Sequence, residues 1–90
     1  MNKARRKAIA DLIDRLDTLK GLADEIRSDL ETIKDEEREA FENLSESFQG
    51  NDRGQAMEAA ADALEEAVGA LDEIGGTIDQ AVENLNTASA

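Results

Sequence analysis

Apolar residues recur along this chain at alternating steps of three and four. Ile9, Leu16, Ala23 and Leu30 form one seven-residue series, and Leu12, Leu19, Ile26 and Ile33 form a second, three residues further on. That spacing places all eight on one stripe of an α-helix. After a polar break the pattern resumes, with Ala61, Val68, Gly75 and Val82 on one series and Met57, Leu64, Leu71, Ile78 and Leu85 on the other. Two long helices are predicted, each of which needs a partner to bury its stripe.

The first helix is expected to start near Lys3 and run at least to Lys34. Its heptad then falters, because Glu37 and Ala40 occupy the next core positions within the run Asp35, Glu36, Glu37, Arg38, Glu39. Apolar residues return at Phe41, Leu44 and Phe48, displaced around the helix. One continuous helix over about 3–48 is favoured; the alternative is a short separate helix over roughly 37–48. Gly50, Asn51, Asp52, Arg53 and Gly54 are turn formers, and Asp52 with Gln55 has capping-box spacing, so the turn is placed at 49–54 and helix two at about 52–86. Gly75 and Gly76 lie inside helix two at a cost of roughly 1 kcal/mol each relative to alanine. They predict a mild kink or the close approach of another helix.

Composition narrows the class. Ninety residues make a single domain, 1–90, and two aromatics leave little bulk for a globular core. Proline is absent and Ala, Leu, Glu and Asp dominate, so the fold is all-α. With no cysteine or histidine the chain lacks disulfides, thiolate nucleophiles and histidine-based acid/base or metal sites. No cofactor and no enzymatic activity are expected. No apolar run approaches the roughly 20 residues of a membrane span, and no apolar core follows the basic start. These features point to a cytoplasmic protein that does not engage membrane.

Charge is distributed unevenly. Residues 1 to 7 carry +4, residues 35 to 48 carry −5 and residues 54 to 90 carry −8, within a total of −12. Beside the first stripe, Lys20, Arg27 and Lys34 recur every seven residues; the equivalent flank of helix two reads Glu58, Glu65, Asp72 and Asp79. Like-named flanks meet in an antiparallel pair, so the two helices are expected to fold as an antiparallel, coiled-coil-like hairpin. Lys34 is then expected near Glu65 or Asp72, and Arg27 near Asp72 or Asp79.

The other flank of helix two is apolar and small: Ala60, Ala67, Ile74 and Ala81. Folding near Asn51 is also expected to leave about the first dozen residues, with Ile9, Leu12 and Ile13, beyond the end of helix two. A stripe this wide calls for further helices, and a lone hairpin buries too little to be secure. A homodimer completing a four-helix bundle through Ile9, Leu12, Ile13, Ala60, Ala67, Ile74 and Ala81 would cover both surfaces; a different protein would do so as well.

The candidate partner-binding residues are outward carboxylates: Asp35, Glu36, Glu39, Glu42 and Glu46 on the first helix, and Asp62, Glu66, Glu73 and Glu83 on the second. Helical neighbours four apart are about 6 Å distant, close to the spacing of phosphates along a strand. Such rows can occupy a cationic groove as a nucleic acid would; the plain alternative is a solvated face. Calcium loops need glycine and alternating oxygen ligands, and bundle metal sites use histidine, so these carboxylates do not read as a metal site. Lys3, Arg5, Arg6 and Lys7 stand at a helix N-terminus, where the macrodipole disfavours cations. They are a frayed solvated head, a contact for an acidic surface or, lacking aromatic stacking partners, a poor contact for nucleic acid.

The opening MNKARRKAI, the central EEREAFENLSESFQGNDRG and the closing AADALEEAVGALDEIGGTIDQAVENL resemble small acidic helical proteins encoded by bacteriophages and prophages. The resemblance spans nearly the whole chain. Small acidic phage proteins include inhibitors of host nucleases and of CRISPR and restriction complexes. The resemblance therefore implies a non-enzymatic inhibitor that blocks a positively charged, nucleic-acid-binding surface of a host defence protein. The alternative is a structural or assembly coiled coil of a phage particle or scaffold.

Overall fold

A computed structural model describes all 90 residues. Helix α1 spans Lys3–Glu42, a single turn α2 spans Glu46–Gln49, and α3 spans Asp52–Ala88. α1 and α3 lie side by side, running in opposite directions, as a rod whose Cα extents are 68 × 15 × 13 Å. The all-α class and the antiparallel helix pair agree with the sequence.

Each long helix begins at an asparagine. The Asn2 side chain accepts a hydrogen bond from the Arg5 backbone N–H at 2.8 Å, and Asn51 accepts from Gly54 N–H at 3.0 Å. Both satisfy donors that have no intrahelical partner. The cap of α3 is thus Asn51 rather than Asp52, one residue earlier than the capping-box spacing suggested. Asp52 falls in the first turn, where its charge suits the helix dipole, and the Gln55 amide donates to Gly50 O at 3.3 Å.

The expected continuous helix over 3–48 is divided. α1 ends at Glu42 with Asn43 as its C-cap, and Ser45, in an extended conformation, starts α2. The Gln49 side-chain amide donates to the carbonyls of Leu44 (3.1 Å) and of Phe41 (3.3 Å), the latter also accepting from the Leu44 N–H. Gly54 is buried against this turn, and a Cβ there would run into the carbonyl oxygens of Gln49 and Phe48. A glycine is therefore required where α3 starts beneath α2.

Little of the chain is inaccessible: six of 90 residues are buried, and the apolar ones are Ala23, Ala61, Val68 and Ile78. On α3 both predicted series line the seam, every member buried or half-buried. On α1 one predicted series does. Ile9, Leu16, Ala23 and Leu30 face α3, but the row beside them is Ile13, Lys20, Arg27, Lys34 and Phe41, all half-buried. Leu12, Leu19, Ile26 and Ile33 are turned outward. Their assignment to the seam is corrected by a physical contest: the methylene stems of the basic residues lie in the seam, and the charged ends of Lys20 and Arg27 reach the acidic flank of α3. The Lys20 stem passes over Gly75, where an added Cβ would stand 4.0 Å from Lys20 Cε. Gly75 is thus a place of close approach, and α3 runs through Gly75 and Gly76 as unbroken helix.

Candidate functional site

The rod has two long edges of different chemistry. One carries the ion pairs. Lys20 Nζ lies 2.7 Å from Asp79, Arg27 Nε 3.2 Å from Asp72, and Arg38 Nη2 2.8 Å from Glu65 and 3.2 Å from Asp62. The Arg27–Asp72 pair matches the sequence-based register. Lys34 does not reach Glu65 or Asp72; Arg38 takes Glu65, and the Lys34 ammonium lies 3.8 Å from its neighbour Asp35. The Lys20 pKa is raised above 10.5, first by its hydrogen bond to Asp79, against a lowering from loss of water, with the charges of Asp79, Asp24 and Asp17 adding to the rise.

The opposite edge is apolar and uncovered. In an antiparallel pair, the flanks of the two seams that do not carry the ion pairs share the other side. Leu12, Leu19, Ile26 and Ile33 of α1 and Ala60, Ala67, Ile74 and Ala81 of α3 therefore line one edge together. Leu12, Leu19, Leu22, Ile26, Ile33 and Ile74 are 43 to 52% exposed. Six large aliphatic residues are thus left half-open on one side of the rod.

Of the residues assigned to an oligomer contact, Leu12, Ala60, Ala67, Ile74 and Ala81 sit on this open edge. Ile9 and Ile13 do not. Arg6 donates to the carbonyl oxygens of Ser89 (3.2 Å) and Ala90 (3.5 Å), so α1 meets α3 almost to its start, and Ile9 and Ile13 are half-buried on the seam. The expectation that the first dozen residues overhang is corrected accordingly. The same bonds place one cation of the basic head at the carbonyl end of α3, which the helix dipole favours. Leu19, Leu22, Ile26 and Ile33 are the exposed apolar residues of this side that sequence reasoning did not assign to it. The signal available was the regular spacing of Lys20, Arg27 and Lys34, whose stems could compete for the seam.

The nine candidate partner-binding carboxylates are all exposed. Asp35, Glu36, Glu39 and Glu42 gather on the back of α1 near the turn, with Glu46 beginning α2. Glu66 and Glu73 lie on the back of α3, facing away from α1, with Asp62 and Glu83 beside them. The fold therefore presents two acidic backs rather than one continuous row, and Asp62 is already held by Arg38. No three carboxylates converge as they would around a metal ion, the surface has no cavity, and no helix is long and apolar enough to cross a membrane.

No family model, no curated protein and no solved structure matches the chain. The resemblance to phage and prophage proteins rests on sequence segments alone.

Proposed function

We propose that this hairpin is a non-enzymatic protein-binding module that pairs with a second copy as a four-helix bundle and offers its acidic backs to a positively charged partner. The observation that carries this reading is the division of surfaces. Lys20, Arg27 and Arg38 are spent on carboxylates of α3, Arg6 is spent on the end of α3, and the apolar edge is free to pair. Asp35, Glu36, Glu39, Glu42, Glu46, Glu66, Glu73 and Glu83 are left facing outward with a net charge of −12 behind them. Such a field raises the on-rate toward a cationic groove and repels nucleic acid. The resemblance to phage proteins extends the reading to a host nuclease or CRISPR complex whose nucleic-acid groove is blocked, in the cytoplasm of the host.

The test is binding of the full chain to purified DNA- or RNA-guided nucleases at low and high salt, in competition with duplex DNA. A complex that forms at low salt, displaces the DNA and weakens steeply as salt rises is expected. No displacement at any salt sinks the reading. The six half-exposed aliphatic residues on one edge also favour a second function, a structural or assembly coiled coil. That function predicts salt-tolerant association into assemblies larger than two chains, with no displacement of DNA.

A further inference from the structure

The α3 side of the open edge reads the same in reverse, and the middle of its α1 side is large and aliphatic on both sides of one centre. Along α3 its row is Ala60, Ala67, Ile74, Ala81 and Ala88, identical from either end with Ile74 at the centre. Along α1 its ridge is Leu12, Leu19, Ile26, Ile33 and Ala40, with Ile26 at the centre and a large aliphatic residue on either side. Ile26 and Ile74 both adjoin the Arg27–Asp72 ion pair, so the two centres stand at one level of the rod. An edge with matching centres and a reversible α3 row fits a second copy turned end for end about a two-fold axis that crosses the rod.

We infer that a second copy of this chain covers the edge, related by a two-fold axis that crosses the rod at the level of Ile26 and Ile74. The inference rests on the self-pairing proposed above and fixes its geometry. α1 lies along the reversed α1 of the second copy, and α3 along the reversed α3. Ile26 and Ile74 each face their own counterparts, Leu19 faces Ile33 of the second copy, and Ala67 faces Ala81. The alanine row lets the two α3 helices approach to about 8 Å, while the leucine and isoleucine ridge holds the α1 helices nearer to about 10 Å. A face with the rod's Cα extents of 68 by 15 Å covers on the order of 1,000 Å² per copy, enough for a specific interface of roughly 800 Å² per partner.

Charge selects this axis over one that runs along the rod. The crossing axis brings Arg15 level with Glu36 of the second copy on the outer flank of the ridge. It also lays the +4 head of one chain beside residues 35 to 48 of the other, which carry −5. An axis along the rod would instead lay each α1 against the α3 of the other copy, with both basic heads at one end of the bundle and both acidic segments at the other. On the α3 side the outer flank is Ala56, Ala63, Ala70, Thr77 and Asn84, so two strongly acidic chains meet there without opposed carboxylates.

The chain has no cysteine, so introduced ones report single contacts. Sedimentation equilibrium of the full chain is expected to give the mass of two chains. On oxidation, Ile74→Cys is expected to link to itself, and Ala67→Cys to link to Ala81→Cys in a mixture far faster than to its own kind. Circular dichroism checks that each variant keeps its helix content; Ile74 and Ala67 lie outside the fully buried set. A one-chain mass overturns the second copy. A two-chain mass in which Ala67→Cys links to itself as fast as to Ala81→Cys overturns the axis. Failure to displace DNA from a nuclease, with both expected results in hand, removes the proposed binding function and leaves this inference standing.

Discussion

The ion-paired edge and the apolar edge of the rod do different jobs. The first supplies register: Lys20, Arg27 and Arg38 each find a carboxylate of α3 within 3.2 Å, and together they align the two helices along half their length. It supplies modest energy, because every one of these pairs is substantially exposed and such pairs contribute about 0.2–1 kcal/mol. On the second edge no hydrogen bond or ion pair joins the two helices. Covering what its six aliphatic residues still expose would contribute about 1 kcal/mol for each. Polar contacts thus align this chain on itself, and the apolar surface of the other edge is left exposed.

The sharpest way to break that division is to place charge on the open edge. The double substitution of Ile26→Asp with Ile74→Asp is expected to abolish self-pairing and to lower stability by several kcal/mol, because four carboxylates would meet at the two-fold centre. Thermal unfolding followed at several protein concentrations measures it. If the edge is simply solvated, the pair costs less than about 1 kcal/mol in total and the midpoint is concentration-independent in both proteins.

Next in size is the turn that joins the edges. Gly54→Ala forces a Cβ against the carbonyls of Gln49 and Phe48, and a loss of about 2–3 kcal/mol in chemical denaturation is expected. Reversal of the cations on the paired edge, Lys20→Glu, Arg27→Glu and Arg38→Glu together, is expected to cost about 1–3 kcal/mol. Added salt should recover part of that loss, whereas it should recover none of the loss at Gly54. A reversal that leaves the midpoint unchanged would show that register comes from the seam and not from charge.

How much of this was readable in the sequence differs between the helices for a physical reason. α3 keeps every one of its carboxylates on one side, so its stripe, its seam and its alanine flank could be read directly. α1 has two rows that could face α3, Leu12 to Ile33 and Ile13 to Phe41, and the second contains Lys20, Arg27 and Lys34. Periodicity counts a lysine as polar and so chooses the first row, but a lysine stem buries well if its end reaches a carboxylate. The end of α1 was hidden for a similar reason. A glutamine seven residues past Glu42 adds bonds to the carbonyls of Phe41 and Leu44 across the turn, and no local pattern announces that. The candidate carboxylates are exposed on both helices, as their positions outside the two stripes implied.

Gly76 offers a smaller test of where α3 is crowded. Gly75 is buried beneath the Lys20 stem, whereas a Cβ on Gly76 meets nothing within 4 Å. Gly76→Ala is expected to stabilise by about 0.5–1 kcal/mol, because alanine loses less backbone freedom on folding. A loss of stability in denaturant melts would mean that a further helix packs over Gly76, moving a contact onto the paired side of the rod.

The smallest effect expected is a pH dependence confined to the paired edge. Folding raises the Lys20 pKa above 10.5, chiefly through the hydrogen bond that its ammonium donates to Asp79. The folded state therefore holds this proton more tightly than the unfolded state does. Its contribution to stability is fully present below about pH 10.5 and is lost as pH rises through the higher folded-state value. Asp79→Asn removes the leading cause of the shift, so the variant should be less stable than the parent at neutral pH and should converge toward it in strong alkali. Thermal midpoints of the two chains, taken as a difference across the alkaline range, make the measurement. A difference that stays constant with pH would mean that Asp79 does not hold Lys20 in solution, and that Arg27 and Arg38 alone align the paired edge.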